Sequence, residues 1–548
     1  MSAASSPNRA APHAARPNPS VAPQPFRPVR RLSVAMIVRD GERGAADTLR
    51  AVASLADEVV VCDTGAAEDA AKTAAAMGAR VLRCGFADDF SAARNHVLSH
   101  CCGDWTLWLE AGETLDANAA AALRQFIDLF ANPAEAYLIE VKSPPESDLV
   151  SAEQVAQARL MPNRPGLEFT GRVRETANAA FARCGVTLTT LPTTVEVCVR
   201  RPLSDTDPAV RLRQARRDLR LAGIEEAETG ESARTLLVRG DALAILGEKR
   251  AAVQAFRKAT AVADRGGNEQ LAAYYGLLTS LDGLDDGTAQ LSICVEALGI
   301  FPLDAQLLCA MGGYLQRKQR LDLALRSYET AHRYGQIHPQ VWRLQKLPSF
   351  VATCYAAALQ LSDRNDKARQ VLEEAAAAGP TTPQLRRHLI DLYVKMNCGE
   401  DAMAQVDLLP PDTPRKETLR SAVRGALLAN QRQWGPAKAF LDVAYQAGCR
   451  DPICLRWLTV ALMAENELAR AQEVVTQWRR RDGASGEAAQ FAEALRVAGV
   501  NVPGEQDPPG RRHTIRVDQA ESGSQPPIGF GGATGYVRTN HDDTTSTT

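Results

Sequence analysis

Aromatic residues fill only 5% of the 548 positions, which disfavours an all-β sandwich, and the abundant alanine suits closely packed helices instead. Neither sign of charge is in surplus. The 63 basic and 65 acidic side chains leave a formal net charge of -2, which excludes a global attraction to nucleic acid or to an anionic membrane. Basic stretches such as Arg211-Leu212-Arg213-Gln214-Ala215-Arg216-Arg217 have acids close by and fit a solvated helix face. No apolar run approaches the roughly 20 residues that span a bilayer, so no integral membrane segment is expected. Residues 1–30 are rich in Ala, Pro, Ser and Arg and lack the apolar core of a secretory signal. The twelve cysteines show neither Cys-x-x-Cys pairs nor zinc-type Cys/His spacing, and are expected as buried free thiols in a reducing cytoplasm. His96 and His100, four apart on a helix, are expected to face solvent or core rather than metal.

A chain of this length exceeds one hydrophobic core, and composition shifts divide it. Residues 1–30 and 501–548 read as solvated, disordered tails. Residues 31–225 alternate short apolar strands with helices, and 226–500 are helical throughout. Strands are expected at Leu32 to Val38, Glu58 to Cys62, Ala79 to Leu82 and Trp105 to Leu109, with helices near 44–55 and 67–77. Near-continuously apolar strands separated by helices imply a parallel sheet covered on both faces. Such sheets bind ligands beyond the carboxyl ends of their strands, so chemistry is expected just after Val38, Cys62 and Leu109. The first strand runs into Arg39-Asp40-Gly41-Glu42-Arg43-Gly44, not Gly-x-Gly-x-x-Gly, which excludes a dinucleotide-dependent oxidoreductase.

The helical half has an internal period. A small residue, then a large apolar one four positions on and a further small or apolar one at seven, recurs as Ala252/Phe256/Ala259, Ala324/Tyr328/Ala331, Ala368/Leu372/Ala375, Ala437/Leu441/Ala444 and Ala471/Val475/Trp478, with a weaker Ala402/Val406/Leu409. From Ala368 onward the anchors lie 34, 35 and 34 residues apart by subtraction. Gly240, Gly312 and Gly425 stand twelve residues before three of them, where a tiny side chain lets two helices approach while the larger residue plugs the gap. Gly247 and Pro380 sit where a turn and a repeat end belong. The pattern resembles the tetratricopeptide repeat, whose period is 34 residues. That resemblance implies an all-α solenoid with a surface suited to peptides or partner proteins.

Three segments of the α/β half carry chemistry. Asp63-Thr64-Gly65 ends a strand, where an acid can accept hydrogen bonds from a base or ribose, or simply cap a tight turn. Asp88-Asp89-Phe90-Ser91-Ala92-Ala93-Arg94-Asn95 opens a helix with two acids, as its dipole favours, and adds an Arg-Asn pair that capping does not explain. Trp105-Thr106-Leu107-Trp108-Leu109-Glu110-Ala111-Gly112-Glu113 puts two carboxylates directly after a buried strand, the donors that magnesium or manganese prefers.

In this order the segments resemble a branch of the family 2 glycosyltransferases, whose domain has the GT-A (Rossmann-like) fold. The resemblance covers about 31–225, through Met36-Ile37-Val38-Arg39-Asp40, the complete Asp88 to Asn95 element, Gly103-Asp104-Trp105 and Gly171-Arg172-Val173-Arg174-Glu175. It implies inverting transfer of a sugar from a nucleotide-diphosphate sugar, a UDP-sugar foremost, to a protein or glycan acceptor selected by the repeats. By position, Val38, Asp40 and Asp63 would line the nucleotide site, while Asp89, Arg94 and Asn95 would shape the donor pocket. Glu175, preceded by Arg174, would be the acceptor-activating base. Glu110 and Gly112 stand in the places of the family's two metal-associated aspartates; with Glu113 one residue beyond, Glu110 and Glu113 would hold a divalent Mg or Mn ion that stabilises the leaving diphosphate.

The departures from the family pattern fall on the same chemistry. Its Asp-x-Asp is here Glu110-Ala111-Gly112, its serine after Asp63-Thr64-Gly65 is Ala66, and its His-Glu is Arg174-Glu175. Two expectations follow. Either a cytoplasmic transferase works with altered metal handling, Arg172 and Arg174 partly replacing the cation, or the domain has lost its chemistry and the chain is a scaffold acting through its repeats in protein–protein interaction.

Overall fold

The computed structural model describes residues 30–39, 44–65, 69–144, 153–282, 284, 286–378, 382–409, 416–482 and 486–500. Asp40, Ala66, Pro380 and both expected tails, apart from Arg30, lie outside these residues. An N-terminal α/β region is followed by a long array of helices.

The sheet contains β1 (Leu32–Val38), β2 (Glu58–Asp63), β3 (Arg80–Arg83), β4 (Trp105–Trp108), β5 (Glu135–Lys142), β6 (Glu153–Pro162), β7 (Thr187–Thr190), β8 (Cys198–Arg200) and β9 (Arg343–Leu344). Its order is β3-β2-β1-β4-β6-β5-β7, with β8 beside β5 and β9 beside β6. The four expected strands are present and mutually parallel, with Val38 opposite Asp63 and Ala35 opposite Trp108. The sheet as a whole is mixed, not parallel, because β6 runs antiparallel to both β4 and β5. Alternation along β1 sets the layers. Leu32 and Val34 join Leu123 and Phe126 of α4 (Ala117–Leu129), and Met36 and Val38 join Ala45 and Leu49 of α1 (Ala45–Val52) and Ala74 of α2 (Asp69–Ala76). Ala35 and Ile37 face the other way, onto Val97 of α3 (Phe90–Leu98) and Phe181 of α5 (Asn178–Arg183). Apolar side chains therefore leave both faces of β1, and every residue of the strand is buried.

The array runs through α6 (Pro208–Thr229), α7 (Ala233–Ile245), α8 (Lys249–Val262), α9 (Asn268–Asp282), α10 (Gly287–Leu298), α11 (Ala305–Arg317), α12 (Leu321–Tyr334), α13 (Leu347–Leu361), α14 (Asn365–Ala377), α15 (Pro383–Lys395), α16 (Gly399–Asp407), α17 (Lys416–Asn430), α18 (Trp434–Gln446), α19 (Pro452–Ala464), α20 (Leu468–Asp482) and α21 (Gly486–Val497). Each helix packs on its sequence neighbours, as in a solenoid. Of the anchor residues only Ala375 is not fully buried. The glycines do what their spacing implies. A β-carbon on Gly240 would lie 2.5 Å from the Phe256 ring, one on Gly312 2.6 Å from the Tyr328 ring, and one on Gly425 2.6 Å from Leu441 Cγ. Gly247 has φ +85 in the turn between α7 and α8, a conformation glycine adopts freely. Among the described residues no helix is long and apolar enough to cross a membrane.

Two junctions bind the halves. The division expected between 225 and 226 falls inside α6. Glu225 accepts from the Arg172 amide at 2.8 Å, Glu228 pairs with the Arg172 guanidinium at 2.6 Å, and Arg220 meets Asp88 at 2.5 Å. Val173 packs with Leu221, Ala222 and Val238, an apolar contact between the α/β loop and the first helix pair. The second junction is the link between α12 and α13. Ala324 and Ala368 are 44 residues apart by subtraction, ten more than one repeat, and the longer link carries β9. It pairs with β6, while Arg343 meets Glu140 at 2.5 Å and Pro339 accepts from the Ala156 amide at 2.7 Å.

Candidate functional site

Strand order reverses at β1, with β2 and β3 to one side and β4 to the other. That makes the carboxyl ends of β1, β2 and β4 the ligand edge of the sheet. Val38 ends β1 fully buried, and its carbonyl accepts from the amide and hydroxyl of Thr64. Asp63 ends β2, and its carboxylate accepts from the Gly65 amide at 3.0 Å, the tight-turn arrangement. Asp89 caps α3, accepting from the Ala92 amide at 3.0 Å and the Ser91 hydroxyl at 2.7 Å. Asn95 spends both ends of its amide on the Phe169 backbone, at 2.8 and 2.9 Å, and so fixes the loop that leads to Glu175. Val38, Asp63, Asp89 and Asn95 thus carry roles in the frame.

Arg94 is the centre. Its Nε donates to Glu175, and its Nη2 to Glu110 Oε1 at 2.6 Å. The guanidinium lies 4.3 Å from the Trp108 ring and 5.0 Å from that of Phe169, contacts that favour the charge. Trp108 adds its indole N–H to Glu110 Oε1 at 3.1 Å. Beneath them, Arg159 of β6 donates to Glu113 at 2.8 Å, to the Trp108 carbonyl at 3.3 Å, and stands 3.7 Å from Glu110. Glu113 is 1% exposed, and its other oxygen accepts from the Glu110 amide at 2.9 Å. Burial works against charge on Glu110, but Arg94 and Arg159 outweigh it and hold the carboxyl at about 2. Burial pushes Glu113 upward, against the pull of Arg159 and with the charge of Glu110 adding to the push. The structure therefore brings Arg94, Glu110, Glu113 and Glu175 together and adds Arg159.

Arg174 does not join them. It has φ +48 and pairs with Asp241 of α7 at 2.6 Å, while Arg172 is tied to Glu228 of α6. Both face the solenoid junction, which leaves neither to replace a cation in the crevice.

Among the described residues this donor set does not fit a divalent cation. Hard cations collect several oxygen ligands. Glu113 has both oxygens engaged in the interior, and Glu110 gives one to Arg94 and Trp108. At Gly112, the place of the family's second aspartate, φ is +92 and a β-carbon would lie 2.9 Å from Pro202 Cγ. Among the described residues no three His, Cys, Asp or Glu side chains come together as a metal group, and His100 Nδ1 contacts the His96 carbonyl at 2.8 Å.

One cysteine expectation needs correcting. Cys62 and Cys84 form a disulfide, and the other ten are free. The parallel pairing of β2 with β3 brings the two α-carbons to 6.6 Å, a proximity that their 22-residue separation does not reveal.

The frame is an N-terminal α/β sheet region followed by a helical array of tetratricopeptide type. No family model matches the chain. A TPR repeat-containing protein of Synechococcus elongatus is 34% identical over 139 residues, 25% of this chain and 33% of that protein, so the match spans about a third of the relative's length. Among solved structures, a tetratricopeptide repeat protein from Parabacteroides merdae is 12% identical, with 48% of this chain and 98% of that one covered and a TM-score of 0.39. Pseudomonas aeruginosa pilF is 15% identical, with 48% and 97% covered and a TM-score of 0.29.

Proposed function

We propose that the chain is an interaction scaffold, a glycosyltransferase-like α/β domain without transfer chemistry joined to repeats that bind protein partners. The observation that carries this reading is the closed arginine–carboxylate network at the ligand edge. Arg94 occupies both Glu110 and Glu175, and Gly112 leaves no room for a second metal carboxylate. A base must reach an acceptor hydroxyl, and Glu175 is instead buried against a guanidinium. The solenoid, fixed to the sheet at α6–α7 and at β9, offers helical surface of the kind that holds peptides or proteins.

A second reading has one observation in its favour. Glu110, Arg94 and Glu175 converge at the carboxyl ends of the strands, where a transferase would move a sugar from a UDP-sugar to a protein or glycan acceptor. The test is release of UDP or GDP from sugar nucleotides by the full-length chain, with magnesium or manganese and with candidate acceptors. The scaffold predicts no release above buffer, and co-purifying partners that survive Glu175→Gln. Nucleotide release that Glu175→Gln abolishes would overturn the scaffold and establish the transferase.

A further inference from the structure

Gly448 ends α18 with φ +85 and turns the chain so that Cys449 folds back under the helix, its amide donating to the Ala444 carbonyl at 2.9 Å. Five residues on, Cys454 stands in the first turn of α19, its thiol 3.8 Å from the Leu441 carbonyl. The two side chains meet, and the Cys454 thiol donates to the Cys449 sulfur. That sulfur also accepts from the Asp451 backbone N–H and from the hydroxyl of Thr418 on α17. Three donors converge on one sulfur, an arrangement that favours its thiolate. The bond from Cys454 is the strongest of these influences, and together they outweigh burial and hold the Cys449 thiol down at about 7. The bond it gives, and then burial, push the Cys454 thiol up. Cys449 is 4% exposed and Cys454 fully buried, but Gly448 and Arg450 on either side of Cys449 are half-exposed. A small oxidant therefore has only a surface turn to displace. A second thiol pair lacks these features. Cys309 of α11 bonds to Cys354 of α13 inside an apolar cluster, and that bond and burial push the Cys309 thiol well up.

We propose that Cys449 and Cys454 form a hydroperoxide-sensitive dithiol that closes into a second disulfide and locks the turn between α18 and α19. The Cys449 thiolate attacks one peroxide oxygen and the O–O bond breaks. The other oxygen leaves as water or an alcohol, and Cys449 is left as a sulfenic acid. With the thiolate gone, Cys454 loses the bond that restrained it. Its sulfur attacks that of Cys449, the S–S bond forms, and the hydroxyl departs as water with the Cys454 proton. Two electrons pass from the two sulfurs to the peroxide. The closed loop contains Asp451, which caps α19 by accepting from the Ile453 amide at 3.1 Å and pairs with Arg387 of α15 at 3.4 Å. Through it the state of the thiols reaches the ion pairs that tie α15 and α21 to Arg456 of α19.

The test treats the full-length chain with equimolar hydrogen peroxide, blocks the remaining thiols, and maps unreduced peptides cut after lysine and arginine by mass spectrometry. Cys449 falls in peptide 439–450 and Cys454 in 451–456, so the new bond joins two fragments that otherwise separate. Two of the ten free thiols should disappear into that cross-link. Cys309 should oxidise at least about tenfold more slowly. Alkylation of Cys449 by iodoacetamide in the untreated chain should reach half its plateau rate at a pH of about 7. Cys454→Ser should stop at a sulfenic acid on Cys449, trapped by dimedone, with no cross-link. Retention of all ten thiols, a cross-link to any other cysteine, or oxidation of Cys449 no faster than that of Cys309 would overturn the proposal, and each is read on the unmutated chain.

Discussion

Gly312→Ala places a methyl group into a contact that has no room for it. Gly312 lies in the middle of α11, where alanine would by itself stabilise the helix by about 1 kcal/mol. Its β-carbon, however, would sit 2.6, 2.8 and 2.8 Å from three carbons of the Tyr328 ring. Ordinary carbon contacts begin near 3.5 Å, so the ring or the helix must retreat by roughly 1 Å. Tyr328 is fully buried, its hydroxyl meets Gln316 at 3.3 Å, and it belongs to the cluster that joins α11, α12 and α13. Overpacking of this kind costs about 1–3 kcal/mol. Set against the propensity gain of about 1 kcal/mol, this leaves a net loss of up to about 2 kcal/mol. Gly223→Ala is the matched control. It lies inside α6 and its β-carbon would meet nothing within 4 Å, so only the propensity gain applies. Thermal unfolding of the solenoid followed by circular dichroism should show Gly312→Ala melting a few degrees lower, about 2–4 °C per kcal/mol, and Gly223→Ala unchanged or higher. A Gly312→Ala chain as stable as wild type would refute the argument that helix approach sets this repeat.

Gly112→Asp should restore the family's second carboxylate in sequence but not in function, because φ +92 and Pro202 oppose any side chain there. A loss of about 2 kcal/mol with no gain of manganese affinity is expected, and manganese-dependent nucleotide binding by the variant would sink the steric account. Asp391 of α15 pairs with Arg456 of α19, which also holds Glu487 of α21. Burial opposes the Asp391 charge, but Arg456 and Lys395 outweigh it and lower the pKa. A depressed carboxylate stabilises the fold above its unfolded value near 4 and loses that contribution as pH falls through the folded value. Arg456 keeps Glu487, so Asp391→Asn should melt lower at neutral pH by an amount equivalent to about 2 kcal/mol, one charge-assisted contact, and a gap that failed to close in acid would contradict this. Thiol titration of the denatured, unreduced chain should find ten reactive cysteines, rising to twelve after reduction. Twelve before reduction would remove the Cys62–Cys84 bond.

The parts legible in the sequence are those whose signal is local. Strands β1 to β4 are legible to within a residue or so at each end because apolar side chains leave both of their faces. The solenoid showed itself because a small residue opposite a plug repeats at a fixed distance. Its second repeat is hidden in the sequence because Gln290 stands where the small residue belongs, buried at 1% beside Cys294 and Ala297. Strand β6 was harder still, since half of its residues are only partly covered and its antiparallel direction depends on partners far along the chain. Arg159 is the consequence for the site. Nothing adjacent in Ala158-Arg159-Leu160-Met161 points to Glu113, and only the pairing of β6 with β4 brings them together. A charged residue inside an apolar run was nevertheless a usable clue, because buried guanidinium needs a carboxylate and two stood at the end of a neighbouring strand.

A stack of repeats touching only their neighbours can fray from either end. Here the segment from α6 to α12 is anchored at its start by Glu225 and Leu221 and at its finish by β9, so chain and sheet together form a closed ring. A ring has no free end, so these repeats have no terminus from which to fray while both anchors hold. The helices from α14 onward hang from that ring by one side only. Under heat, force or protease they form the part of the molecule that opens first, unwinding inward from α21 and stalling where Arg343 grips Glu140.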